Sequence, residues 1–178
     1  MSQRNGSTII NGIGLPSHVV FPHIGTRFPA TAGLFFTTEC TADFSACTPE
    51  QIINAYDNTI AYTDWFLASL IDHMGAQDRV LTSMLYISDH GESLGEGGIY
   101  LHAAPYFMAP DVQTQVPMVL WTAPAYRQAM GLDQTCIATR AAQGEVTQDA
   151  VFHTVLGLAD VETSLRQPAL DLTEGCRD

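Results

Sequence analysis

The side chains best suited to chemistry gather in Ser88-Asp89-His90-Gly91-Glu92. A carboxylate oxygen beside an imidazole nitrogen is a ligand pair that suits Zn2+ or Mn2+. Neighbouring residues both face one cation only if the chain turns sharply, and Gly91 permits such a turn. The competing reading is an Asp–His pair in a plain polar turn. His102 follows twelve residues after His90, in Tyr100-Leu101-His102-Ala103-Ala104-Pro105. A loop of that length can fold back and bring His102 to the same ligand, although a single loop histidine is more often a surface group. Asp89, His90, Glu92, Glu96 and His102 lie within fourteen residues, among four glycines in the eight residues from Gly91. Titratable groups this dense beside glycines rarely serve packing.

The other polar side chains have plainer readings. His73 falls at a helix C-terminus, where a cation suits the dipole. His153 beside Phe152 reads as a packed or boundary residue. Asp57 and Asp64 read as the solvated face of a helix, with a hydrogen-bonded Asp57-Asn58 pair as the alternative. His18 and His23 fall in a stretch without period and receive no role.

Several elements must position these groups. Thr48-Pro49-Glu50-Gln51 is a capping box with Pro at the first helical position. Ile52, Ile53, Tyr56, Ile60, Thr63, Phe66, Leu67, Leu70, Ile71 and Met74 then recur at three- and four-residue spacing, and Gly75 supplies the stop. Val80 to Ile87 is an apolar run of strand length that reads as a buried strand of an α/β sheet. The Asp-His pair follows it directly, at the strand edge where such sheets place ligands. Val116 to Trp121 is a second candidate strand. Thr147 caps a last helix, Gln148 to about Leu158, with Val151, Phe152, Val155, Leu156 and Leu158 inward. Residues 1–47 show no sustained period, with short apolar pieces at Val19 to Phe21 and Leu34 to Phe36. The tail from Asp160 reads as irregular. No internal repeat or low-complexity segment is evident.

Composition narrows the function classes. The 178 residues carry 19 acidic and 7 basic side chains, a net charge of −12, and every basic residue is Arg. So acidic a chain is poorly suited to nucleic-acid phosphates and is repelled by anionic membranes. A 46% hydrophobic content supports one domain with a core. No apolar run approaches a membrane span, and the first residues do not read as a signal peptide. Cys40 and Cys47 bracket six residues, too wide for a CxxC knuckle. They read either as a small disulfide loop, which implies an oxidising compartment, or as reduced thiols. The pairing of Cys136 and Cys176 stays open.

Asn54-Ala55-Tyr56-Asp57-Asn58-Thr59-Ile60, Tyr62-Thr63-Asp64 and Tyr86-Ile87-Ser88-Asp89-His90-Gly91-Glu92-Ser93-Leu94-Gly95-Glu96 resemble the phosphoethanolamine transferases. These are bacterial inner-membrane enzymes with a periplasmic catalytic domain of the sulfatase/alkaline phosphatase-like fold. Leu101-His102, Ala109-Pro110-Asp111, Gln115-Val116-Pro117-Met118, Phe152-His153-Thr154-Val155-Leu156-Gly157-Leu158, Asp160-Val161 and Leu170-Asp171-Leu172 extend the resemblance over about 36 to 177. It implies an α/β chain holding part of an alkaline phosphatase/sulfatase-like sheet flanked by helices. Residues 1–35 would form a divergent N-terminal segment, and 36–178 the C-terminal part of the catalytic domain.

By resemblance, Asp89 and His90 match zinc ligands. His102 matches a histidine near the phosphoethanolamine group or a further zinc, and Glu92 matches a family carboxylate. Cys40 and Cys47 match a disulfide loop. The resemblance also implies a phosphatidylethanolamine donor, a lipid A-type acceptor, polymyxin resistance where lipid A is modified, and a place on the periplasmic side of the inner membrane. The departures are as specific. The family's Thr nucleophile and its companion Glu ligand have no match, and neither do its membrane helices. The family's Ser/Asn-His-Gly-Pro motif meets Ser17-His18-Val19-Val20 here, with Arg27-Phe28-Pro29 slightly late. The expectation is therefore a truncated transferase without its nucleophile. The rival expectations are an inactive remnant with a loose metal site and a metal-dependent phosphodiesterase that uses water.

Overall fold

The structure is a computed structural model that describes residues 7–10, 40, 43–102, 105–143 and 146–177, with only the backbone at 7–10. The chain divides into two compact units: residues 1–12, 71–87 and 117–178 form the first, and 13–70 with 88–116 the second.

The first unit is built on a three-stranded antiparallel sheet of β1 (Ser7–Ile10), β5 (Met118–Thr122) and β2 (Ser83–Ile87), in that order. Its register pairs Ile10 and Ile87 with Met118, and Ser7 and Met84 with Trp121. The candidate strand at Val80 starts three residues late, because Val80 and Leu81 are exposed and Thr82 is used otherwise. The Thr82 hydroxyl donates to the Met74 carbonyl (3.1 Å), and the Thr82 carbonyl accepts from the Ala123 amide (3.0 Å). The β2 side chains are half-buried rather than buried, since β2 is an edge strand among the described residues. The central strand is β5, and it carries the buried positions Met118, Leu120, Trp121 and Thr122. It begins at Met118 rather than Val116 because Pro117 has no amide to give a ladder. Strand β1 arises in a stretch whose sequence shows no period. It pairs with the other edge of β5.

Helices α3 (Pro124–Met130), α4 (Gln134–Gln143) and α5 (Ala150–Leu158) close over this sheet's core. That core joins Met118, Leu120, Trp121, Tyr126, Leu132, Ile137, Leu158 and Leu172. Helices α3 and α4 are not among the elements that the sequence predicts. Helix α3 opens on Pro124 and ends at Gly131 in the left-handed conformation (φ 62°), both favourable local signals. Helix α5 begins at Ala150, with the Thr147 carbonyl, not its hydroxyl, accepting from the Ala150 amide. Its buried face is Ala150, His153, Thr154, Gly157 and Leu158, whereas Phe152 and Val155 face solvent. The polar members are inward because the tail packs there. The Gln167 amide donates to His153 Nδ1 (3.0 Å), and the Leu172 amide donates to Thr154 Oγ1 (3.1 Å). Asp171 is fully buried, accepting from Arg166 at 2.6 Å and from the Thr173 amide and hydroxyl at 2.8 Å each. A disulfide between Cys136 and Cys176 (Cα–Cα 5.4 Å) fastens the tail to α4.

The second unit holds most of α1 (Pro49–Gly75), whose last turn belongs to the first unit. The capping box forms reciprocally: the Thr48 amide donates to Gln51 Oε1 (2.9 Å) and the Gln51 amide to Thr48 Oγ1 (3.2 Å). Ile52, Tyr56, Asn58 and Thr63 are its buried residues, Asp64 is exposed, and His73 is exposed in the last turn. Cys40 and Cys47 are bridged, with Cα atoms 5.7 Å apart. The bridge encloses a 3-10 turn, Phe44–Ala46, capped by the Asp43 carboxylate. The candidate strands at 19–21 and 34–36, together with His18, His23 and 27–29, lie outside the described residues.

Candidate metal centre

The chain passes from β2 into Ser88-Asp89-His90-Gly91-Glu92, all in the second unit. Buried Ser88 donates its hydroxyl to the His90 carbonyl (2.9 Å), and the His90 amide donates to Asp89 Oδ1 (3.0 Å). Gly91 is required for a reason other than the expected turn. A Cβ there would meet the Val112 carbonyl oxygen at 1.9 Å and Gln113 Cα at 3.2 Å. The backbones touch because the Gly91 amide donates to the Gln113 carbonyl (2.9 Å). This contact lies beside α2 (Asp111–Thr114), the short helix that carries Gln113.

A two-stranded hairpin, β3 (Ser93–Leu94) with β4 (Tyr100–Leu101), then folds the loop back. Glycines carry its tip, with Gly97 and Gly98 at φ 61° and 80°. Glu96 serves the tip as well, accepting from the Leu94 amide (2.7 Å), and so does not join the site. The hairpin register sets Ser93 opposite Leu101, which brings His102 against Glu92. His102 Nδ1 lies 3.0 and 3.3 Å from the two oxygens of the Glu92 carboxylate, whose side chain is 5% exposed. The His90 and His102 rings stack with centroids 3.9 Å apart and planes 26° apart. Donor atoms from His90, Glu92 and His102 all lie within 4.8 Å of one another. Asp89 flanks this trio, its Oδ2 3.7 Å from His90 Nε2.

Proton placement follows from the partners. His90 Nδ1 sits 2.9 Å from the Gly91 carbonyl, which can only accept, so this nitrogen carries the hydrogen. In the neutral ring His90 Nε2 is then a lone-pair nitrogen facing the Asp89 carboxylate, and two acceptors at that spacing attract a cation rather than each other. Donor atoms on a tetrahedral Zn2+ ion sit roughly 3.4 Å apart, given metal–ligand bonds of about 2.0–2.2 Å. The 3.7 Å separation fits that arrangement. His102 donates through Nδ1 to Glu92, which leaves its own Nε2 basic and its ring fixed, a carboxylate–histidine pairing common behind metal ligands. The donor set of imidazole nitrogens and carboxylate oxygens suits zinc.

One residue that builds this arrangement was not legible in sequence. Gln113, itself buried, donates through Nε2 to Ser93 Oγ (2.7 Å) and to the Leu101 carbonyl (2.9 Å). Leu101 needs that support, since it holds φ 64° without being glycine. No spacing rule marks a glutamine that clamps a hairpin twenty residues before it.

The Sulfatase family model matches residues 15–161. The chain is 43% identical over 176 residues to phosphoethanolamine transferase EptA of Escherichia coli (strain K12), which covers 98% of this chain and 31% of that protein. It is 42% identical over 131 residues to phosphatidylethanolamine transferase Mcr-1 of Escherichia coli, covering 71% of this chain and 22% of that protein. Among solved structures, it superposes on the soluble domain of lipooligosaccharide phosphoethanolamine transferase A from Neisseria meningitidis with a TM-score of 0.80. That match has 40% identity and covers 85% of this chain and 46% of that chain. The chain spans about a third of the length of the EptA relatives it matches (31%).

Proposed function

The chain belongs to the sulfatase family, with phosphoethanolamine transferases as its relatives, and on that premise we propose that it is the part of such an enzyme that holds metal and headgroup. The reading rests on one observation above all: His90, Glu92 and His102 converge within 4.8 Å although the hairpin separates His102 from the other two in sequence. In this reading Asp89 and His90 are the zinc ligands. His102, oriented by buried Glu92, meets the phosphoethanolamine group. Bound zinc would supply positive charge to offset what develops on phosphoryl oxygens. The chain's own residues do the holding: the Gly91 carbonyl keeps His90 Nε2 free of hydrogen, and Glu92 keeps His102 Nε2 basic.

The donor is phosphatidylethanolamine and the acceptor lipid A or a related surface glycolipid, as the names of the relatives suggest. The site then works on the periplasmic side of the inner membrane, and activity on lipid A would lower polymyxin sensitivity. The two disulfides agree with an oxidising compartment. No helix among the described residues is long and apolar enough to cross a membrane. In this reading the 178-residue polypeptide by itself transfers nothing, because no residue in it matches the Thr nucleophile of the transferases, and four of its threonines are tied up elsewhere. Thr48 caps α1, Thr59 and Thr63 bond back to the carbonyls of Tyr56 and Thr59, and Thr82 bonds to Met74.

The test has two arms. In the first, residues 36–178 replace the matching part of EptA from Escherichia coli K12, and lipid A is examined by mass spectrometry. The exchange should preserve phosphoethanolamine addition, and His90→Ala within it should abolish addition. An active His90→Ala exchange would refute the site. In the second arm, the chain alone is exported to the periplasm of a polymyxin-sensitive strain and purified for zinc content and phosphodiesterase activity. It should carry zinc weakly and modify no lipid A. Transfer that depends on Asp89 would overturn the claim of inactivity, and hydrolysis without transfer would favour a phosphodiesterase.

A further inference from the structure

Six large apolar side chains of the second unit are exposed within ten residues of chain: Ile99, Tyr100, Leu101, Tyr106, Phe107 and Met108. The last three form a single 3-10 turn and stand almost free, at 86%, 84% and 64% exposed. A lone exposed apolar residue is ordinary, but three consecutive large ones at a loop tip mark an interaction surface. The partner's chemistry can be read from charge. From Gly97 to Pro110 the chain carries no Asp, Glu, Lys or Arg, and one His, His102, within a protein of net charge −12. The segment is bounded by Glu96 and Asp111. An anionic surface would be repelled by the molecule as a whole, and a cationic one would find nothing to pair with in this stretch. A neutral, zwitterionic surface with apolar depth beneath it fits both facts. Tyr and Phe at an exposed tip suit that boundary, the phenol at headgroup level and the rings and thioether below.

We propose that the turn Tyr106–Met108 docks on a zwitterionic phospholipid surface, with β4 lying along it, so that His102 meets headgroups at the interface. His102 sits between the two apolar pieces in sequence, which joins the docking surface to the candidate site. The choice of phospholipid rests on the transferase reading above, while the docking does not. Binding without any headgroup chemistry would uphold the surface and sink only that reading.

The experiment is flotation of the full chain with vesicles of phosphatidylcholine and phosphatidylethanolamine. The wild type should float, and Tyr106→Ser/Phe107→Ser should bind at least about tenfold more weakly, since burying one aromatic side chain is a term of that size. Replacing part of the lipid by phosphatidylglycerol should weaken binding. Phe107→Trp should keep binding, and its emission should move to the blue and be quenched by lipids brominated on their chains. Excess glycerophosphoethanolamine should not release the protein. The proposal is overturned if the wild type stays in the soluble fraction, if the double serine variant floats equally, or if the Phe107→Trp indole stays in water. It is also overturned if the soluble headgroup abolishes flotation, because headgroup capture would then carry the binding. A dimer that the serine substitutions dissolve, with no vesicle binding, would make the face a protein interface and end the membrane proposal.

Discussion

Replacing Gln113 by Leu removes the clamp on the hairpin while keeping the side chain's bulk. Two hydrogen bonds go, to Ser93 Oγ and to the Leu101 carbonyl. Ser93 is 1% exposed and finds no water, whereas Leu101 is half exposed and its carbonyl can. At about 1 kcal/mol per bond plus the cost of a buried unpaired hydroxyl, the loss is about 2–3 kcal/mol. The left-handed conformation of Leu101 (φ 64°) costs about 1–2 kcal/mol, so the clamp outweighs it only while intact. Without the clamp, Leu101 should relax toward ordinary φ and swing His102 away from Glu92. Urea unfolding should show the lower stability. Side-chain 15N shifts should show His102 Nδ1 losing its fixed proton, and calorimetry should show the affinity for glycerophosphoethanolamine falling about 10- to 100-fold, as when a site residue loses the partner that orients it. Leu101→Gly, added to Gln113→Leu, should restore part of the affinity because glycine adopts this φ freely. A variant that loses stability yet keeps the His102 shifts and the headgroup affinity would refute the positioning argument. An unchanged urea midpoint would refute the energetics.

Gly91→Ala should cost about 3 kcal/mol or more or prevent folding, because backbone atoms of Val112 and Gln113 occupy the methyl's space, and circular dichroism of the purified variant would decide it. Cys136→Ser/Cys176→Ser should cost about 4 kcal/mol and Cys40→Ser/Cys47→Ser about 2.5 kcal/mol in the chain-entropy account. Sequence separations of 40 and 7 set that order, and urea midpoints of the two variants would test it. Asp171→Ala should lose about 1–3 kcal/mol by leaving the buried Thr173 donors unpaired, a loss that thermal unfolding would measure, while Arg166 keeps Glu174. Burial pushes the Tyr126 phenol above its ordinary value, against weaker lowering by Ser83 and Arg177. A raised folded value means that its contribution is complete below the unfolded value near pH ~10 and lost as pH rises through the folded one. Ultraviolet titration should show one tyrosine lagging the rest, absent in Tyr126→Phe.

Some of this protein was decided locally and was therefore legible in the order of its residues. The capping box at Thr48, the long period of α1 and its stop at Gly75 depend on neighbours within a turn or two, and each formed as the residues predict. The chemistry-bearing group was equally plain, because Asp89, His90, Glu92 and His102 are rare types at close spacing. The family resemblance followed from such stretches, and the comparisons bear it out. The tertiary structure decided whatever depends on distant partners. Strand β1 exists only because β5 offers it an edge, and β2 is half-buried because its place in the sheet, not its composition, sets its cover. Helix α5 turns His153 and Thr154 inward, against its apolar pattern, because the tail at Gln167 and Leu172 brings amides that need acceptors. The pairing of Cys136 with Cys176 required a fold that brings residues forty apart together. At the site, sequence supplied the ligand types, whereas the meeting of His102 with Glu92 depends on the hairpin register and on Gln113. Composition and period report what a residue prefers; a clamp, a register and a close backbone approach depend on residues that the chain places far away and folding brings near.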